Sequence, residues 1–312
     1  MTIFTVIFPV FAIALAGYLS ARFKILDQRD VEGISKFVFA IAIPILLFNS
    51  LADVTLPEEI NWQFWLSYYL ISLLIYAVAV WISHRWFGHT PREQAIFGLG
   101  ASYSNMVLVG LPIISTGLGE DALLPIFLLI SIHSATLFFV VTLLVERGDG
   151  NGLTVRQVTV LTLKNLSRNP IIIGLMSGLA FNLLKIPIPT MVDDALGTLG
   201  DAALPCAIFV LGASLNAYKL AGHFREAWAM IGLKMVVHPL LVAVMALAVF
   251  HLDPLWAAVA VMMAGMPVGV NSFIFAQKYQ AGIAVTSTAI LISTLLAVVS
   301  QSLLLAIFIP RT

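Results

Sequence analysis

Glycine, proline and asparagine cluster twice inside runs otherwise apolar enough to cross a membrane: Asn105-Met-Val-Leu-Val-Gly110-Leu-Pro112 and Gly265-Met-Pro267-Val-Gly269-Val-Asn271-Ser272. A proline in a helix interior removes one backbone hydrogen bond and clashes with the turn before it, so each run is expected to unwind there. In hydrocarbon, unpaired backbone survives only where protein buries it or where it lines a cavity. The chain is thereby restricted to folds that bring two interrupted spans together around an interior site. A matched pair of breaks, one per half, is the sequence mark of a binding site in an alternating-access bundle.

Composition sets the class. Hydrophobic residues make up 60% of the chain, charged residues 10%, and mean hydropathy is +1.01, against about 25% charged in soluble domains. The 312 residues read as one all-α polytopic membrane bundle. Net charge is zero, with no basic patch for nucleic acid. The single cysteine, Cys206, excludes an internal disulfide and lies in an apolar run, where packing is its expected role. No basic residue precedes the first apolar run and no small-residue cleavage site follows it, so it reads as a span rather than a signal peptide.

Ten apolar segments of membrane length follow one another, at 3–21, 33–52, 62–84, 94–118, 122–145, 169–185, 193–218, 226–250, 254–277 and 282–309. The loops after spans 1, 3, 5, 7 and 9 carry thirteen basic residues (Arg22, Lys24, Arg29, Lys36, Arg85, Arg92, Arg147, Arg156, Lys164, Arg168, Lys219, Arg225 and Lys278). The other side carries only Lys185 and Arg311, with Asp53, Glu58, Glu59, Glu120 and Asp121. Cytoplasmic loops hold the excess of Lys and Arg, so both termini are expected outside a multi-pass inner (plasma) membrane protein.

Displacing the chain by 161 residues lays Pro9 on Pro170, Gly17 on Gly178, Lys24 on Lys185, Pro44 on Pro205 and Phe48 on Phe209. With a gap of six, Gly110-x-Pro112 falls on Gly265-x-Pro267. The shared order predicts a five-plus-five repeat, residues 1–145 and 169–312, joined by a cytoplasmic link at 146–168. Five is odd, so the second unit is inverted, and the broken crossover helices 4 and 9 become equivalent. Pro44 and Pro205 are expected only to kink their helices.

These residues resemble the auxin efflux carrier family of plant PIN-type carriers and their bacterial relatives. The carrying motifs are Asn-x4-Gly-x-Pro at Asn105, Gly110 and Pro112, and Pro-x-Gly-hydrophobic-x-x-Phe-hydrophobic-Phe-Ala from Pro267 and Gly269 to Ala276. Tyr279, the Ser287-Thr288-Ala289 run and Ala42-Ile43-Pro44 add to the likeness, which covers the whole chain. The short link, and Lys278 where plant carriers often have an acid, point to a bacterial member of malonate/malate permease type. The resemblance implies a crossover fold with a scaffold of spans 1, 2, 6 and 7 and an elevator-like transport domain of spans 3–5 and 8–10. A homodimer through the scaffold fits the same arrangement. The implied substrates are small dicarboxylates such as malonate or malate, carried by symport; the alternative is export of a hydrophobic, auxin-like monocarboxylate.

Ionisable groups inside spans are functional candidates. They are His133, Asp201, Lys234 and His238. Lys234 and His238, spaced i, i+4, share a helix face. Lys234 is a snorkelling side chain, or else its partner is a substrate carboxylate, for which it is the counter-charge, or a ring of backbone carbonyls at the crossing. His133 and His238 are candidate coupling groups or packed core histidines, and Asp201 is expected nearer the outer end. Asn105 and Asn271 sit at the breaks, where an amide can satisfy freed backbone and donate to an anion, beside the positive ends of half-helices. Ser104, Tyr103, Ser102 and Ser272 are candidates to line the same cavity or to bond between helices. Gly110, Pro112, Gly265, Pro267 and Gly269 make the breaks.

No buried acidic pair suits cation exchange, no metal or cofactor site is evident, and coupling to protons or to sodium stays open. An intramembrane enzyme would need a nucleophile or metal motif, and neither Gly-x-Ser-x-Gly nor His-Glu-x-x-His occurs. A channel would build selectivity from rings of repeated groups. The expected function is therefore secondary transport of a small organic anion across the bilayer, not enzymatic.

Overall fold

The computed structural model describes residues 3–56, 61–148, 153–218, 220 and 222–308. Glu58, Glu59, Lys219 and Arg311, used above for orientation, lie outside them. Helices follow in the order α1 (Ile3–Arg22), α2 (Gln28–Phe37), α3 (Ile43–Asp53), α4 (Trp62–Phe87), α5 (Pro91–Ser102), α6 (Leu111–Leu118), α7 (Leu123–Gly148) and α8 (Val155–Leu166). The second half holds α9 (Pro170–Leu184), α10 (Thr190–Asp201), α11 (Ala203–Ser214), α12 (Phe224–Gly232), α13 (His238–Ala243), α14 (Pro254–Ala264), α15 (Val270–Lys278) and α16 (Ile283–Phe308). Among the described residues no strand forms.

Helix starts follow from local chemistry. Asp27, Thr90 and Thr154 cap α2, α5 and α8, each in a reciprocal box with Asp30, Glu93 or Gln157 three residues on. Asn61, Asn169 and Asp253 cap α4, α9 and α14 through their side-chain oxygens. The prolines act on the turn before them. Pro44, Pro112 and Pro239 each follow a π-helical turn, at Val38–Ala42, Met106–Gly110 and Leu233–Val237. A proline has no N–H to give and clashes with the carbonyl four residues back, so a widened turn relieves the contact. Pro205 likewise follows the break between α10 and α11.

Six helical stretches are long and apolar enough to span a membrane: Gln28–Asp53, Trp62–Phe87, Glu120–Arg147, Thr190–Ala217, Phe224–Val249 and Ile283–Phe308. Four shorter apolar helices accompany them, Phe8–Arg22, Met106–Leu118, Pro170–Leu184 and Pro254–Ala264. Leu295, Val299, Leu303 and Ile307 form an exposed stripe along α16, and Leu66, Leu70, Leu73 and Leu74 are exposed on α4. Such apolar faces suit hydrocarbon rather than water. The link contains a helix the sequence reading missed, α8, and Asp201 is exposed at the end of α10.

Two packing groups position the site. In one, α1 runs along α11, α3 runs along α9, and α10 packs on α3. Small residues let the backbones approach: Gly17 meets Phe209, Gly212 meets Ala14, Gly174 meets Pro44 and Gly178 meets Phe48. In the other, α4 packs on α5, α5 on α7, α13 on α14, and α12 on α16.

Candidate functional site

Where α5 ends, the chain turns extended at Tyr103 and runs antiparallel to the stretch after α14. Asn105 N–H donates to Pro267 O at 3.1 Å and Gly269 N–H donates to Tyr103 O at 2.9 Å. Each break thus satisfies backbone groups that the other leaves free, as a nonpolar surrounding demands. Gly269 permits the approach, because a Cβ there would lie 2.3 Å from Tyr103 Cδ1. Side chains complete the pairing. Val268 N–H donates to Ser293 Oγ at 3.1 Å, Gln301 Nε2 donates to Gly265 O at 2.8 Å, and Ser272 Oγ donates to Gly269 O at 2.6 Å. Ser293 and Gln301, both on α16, were missed from sequence; a buried glutamine in an apolar span was the available signal.

A cavity of about 650 Å³ opens beside the paired breaks. Tyr103, Ser104, Asn105, His133 and Asn271 line it, which brings together five of the expected residues. The first residues after each break, Met106 and Val270, line it as well, so two helix N-terminal ends face the space. Asn105 is the N-cap of its helix, yet its side chain makes no capping bond. Its Nδ2 is buried without a partner. Asn271 differs: its Nδ2 donates to Tyr103 Oη at 2.8 Å, and that hydroxyl lies 2.8 Å from Ser134 Oγ.

His133 is held by Ser104, whose N–H donates to Nε2 at 3.1 Å. A nitrogen that accepts carries no proton, so the neutral ring bears its hydrogen on Nδ1. That Nδ1 is also buried and unpartnered.

Lys234, His238 and Ser272 do not line the cavity. Lys234 is fully enclosed; its ammonium donates to Ala264 O and lies 3.3 Å from His238 Nδ1. An ammonium only donates, which makes Nδ1 the acceptor and leaves Nε2–H to donate to Ser72 Oγ at 3.0 Å. Ser72 Oγ in turn donates to Tyr68 O at 2.9 Å, and Tyr68 Oη reaches Ser104 Oγ at 2.9 Å. A polar chain thus runs from the π-turn Leu233–Val237 and the start of α13, behind the breaks, to the cavity wall.

Comparison with known proteins gives the same direction along the whole chain. Residues 2–305 match the family described as membrane transport protein. The chain is 26% identical over 303 residues to a Rhizobium meliloti protein named "Putative malonate transporter", covering 96% of this chain and 93% of the relative. It is 25% identical over 342 residues to auxin efflux carrier component 8 of Arabidopsis thaliana, covering 93% and 92%. An uncharacterized transporter of Methanothermobacter thermautotrophicus is 24% identical over 305 residues, with 95% of each covered. With its apolar helices and paired breaks, this multi-pass membrane transporter belongs to the membrane transport protein family, that of the auxin efflux carriers.

Proposed function

We propose that the chain is a secondary transporter of small organic anions that works by alternating access and holds its substrate beside the two breaks. One observation carries this reading. The cavity wall holds two buried donors without partners, Asn105 Nδ2 and His133 Nδ1, while no carboxylate is among its described lining residues. Leaving a buried donor unpaired costs about 1–3 kcal/mol, and a ligand acceptor removes that cost. A carboxylate supplies such acceptors and also suits the two helix N-termini. Malonate or malate is the substrate class, in keeping with the name of the Rhizobium relative. A second reading, a hydrophobic monocarboxylate, is favoured by the apolar part of the wall, where Phe39, Phe138 and Ile274 stand.

The membrane arrangement proposed is ten crossings in two inverted units, both termini outside, in the inner (plasma) membrane. Spans 1, 2, 6 and 7 form the scaffold, and spans 3–5 and 8–10 form the moving unit with the breaks. The glycine-lined seams of α1 with α11 and α3 with α9 support a rigid scaffold. Uptake under imposed proton or sodium gradients distinguishes the two coupling ions.

The test is binding to the purified protein of malonate, its monoamide and indole-3-acetate, followed by counterflow in proteoliposomes. Malonate is expected to bind and exchange saturably, with Asn105→Ala weakening it. Preference for indole-3-acetate establishes the second reading, and nonsaturable flux sinks both. For topology, single cysteines at Lys185 and Arg156 in a Cys206→Ala background should label from opposite sides, the first from outside. Labelling of both from one side overturns the inverted arrangement.

A further inference from the structure

We infer that Lys36 is the counter-charge that admits the anion to the cavity, and that it acts from one face of the membrane only; this rests on the anion reading above. Lys36 occupies the last turn of α2 and lines the cavity. It is the one formally charged side chain among the described lining residues. It is exposed, whereas Asn105 and His133 are 5% and 2% exposed. The lysine therefore stands at the open end of the cavity and the two unpaired donors at the closed end.

Its charge is uncommitted. Glu32 lies one turn earlier on α2, but its carboxylate accepts from Gln28 Nε2 at 3.0 Å. Among the described residues no carboxylate lies within ion-pair distance of Lys36. A flexible stem with a compact ammonium can follow a ligand inward. Low-dielectric walls concentrate its field along the cavity and raise the local anion concentration.

One-sidedness follows from the scaffold and the moving unit proposed above. Helix α2 packs on α11, and the π-turn after it packs on α9 and α11. Asn105 follows α5, which packs on α4 and α7. When the group bearing Asn105 carries the ligand across, Lys36 remains behind with the scaffold. An anion arriving from the α2 face meets the lysine, and one arriving from the opposite face does not. Lys36 is thus a positioning residue for capture and takes no part in release on the far side.

The experiment measures half-saturation for malonate on each face of proteoliposomes of known orientation, at low and high potassium chloride. It compares wild type, Lys36→Gln and Lys36→Arg. Lys36→Gln is expected to raise half-saturation on the α2 face about tenfold at low salt, with the difference shrinking at high salt because the charge is exposed. The far face should stay at the wild-type value, since the lysine does not meet the ligand there. Lys36→Arg should restore the α2 face, and the unfolding temperature of Lys36→Gln should match wild type. No change on either face overturns the role of Lys36, and an equal rise on both overturns its one-sidedness. A fall in unfolding temperature that accounts for the loss, or failure of Lys36→Arg to restore it, also overturns the charge argument. If wild type neither binds nor carries malonate or its monoamide, the anion reading itself falls and Lys36 with it.

Discussion

Gly17 lies against the backbone of Phe209 so closely that a Cβ on the glycine would stand 2.0 Å from the Phe209 carbonyl oxygen. Gly178 and Phe48 repeat the relationship, at 2.4 Å. The displacement of 161 residues that carries Gly17 onto Gly178 also carries Phe48 onto Phe209. Under the proposed five-plus-five repeat the two contacts are each other's image, as an isologous seam between related units requires.

Substitution at that seam should be costly because the clashing atom is backbone, which no rotamer change moves. Gly178→Ala is expected to lose about 1–3 kcal/mol to overpacking, lowering the unfolding temperature in detergent. Gly232→Ala is the control, since a Cβ there meets nothing within 4 Å. It should gain up to about 1 kcal/mol from helix propensity. Equal effects at both positions would show that the seam is looser than described.

Asn105 and Asn271, alike in sequence, should part in their mutant behaviour. Asn105→Ala removes a donor with no protein partner, so malonate affinity should fall by about 1.5–3 kcal/mol, the value for a bond to a charged acceptor, at unchanged stability. Asn271→Ala breaks the bond to Tyr103 Oη, and Tyr103→Phe should reproduce its phenotype. Calorimetric binding and thermal unfolding of the three variants decide the matter. Matching losses of stability in all three would reduce Asn105 to a structural amide.

The paired breaks were legible because proline, glycine and asparagine announce themselves in an apolar run, and Asn105, Tyr103, Ser104, His133 and Asn271 do meet at one cavity. Lys36 was counted as a loop cation. Only the packing of α2 turns it toward the cavity, and no local signal carries that information. The cap pair Thr154 and Gln157 marked α8, but its surroundings are hydrophilic and the periodic signal was weak. Two partners were offered for Lys234 from sequence, a substrate carboxylate or backbone carbonyls at the crossing. Choosing between them required the position of Ala264.

His133 is expected to serve as a donor rather than as a proton carrier. Ser104 N–H already points at Nε2, and protonating that nitrogen would set two donors against each other. His133→Gln, which keeps a donor of similar reach, should leave the pH profile of malonate uptake unchanged. His133→Leu should weaken binding by about 1.5–3 kcal/mol, the value for one hydrogen bond to a charged acceptor. A pH profile that flattens in His133→Gln would instead make the imidazole a coupling group.

Lys234 should matter for stability and not for selectivity. A lysine inside a membrane span costs about 2.5–3.5 kcal/mol on insertion scales, so its charge needs compensation. The structure supplies it from Ala264 O, at the C-terminal end of α14, and from His238 Nδ1. A helix C-terminus carries partial negative charge, which favours a cation there. Lys234→Met removes the donor from both acceptors and leaves them buried, at about 1–3 kcal/mol for each unsatisfied group. The fall should appear as a lower unfolding temperature. Because the ammonium lies outside the cavity lining, the ratio of malonate to monoamide affinity should be that of wild type. A loss confined to malonate, at unchanged stability, would put the Lys234 charge on the ligand instead.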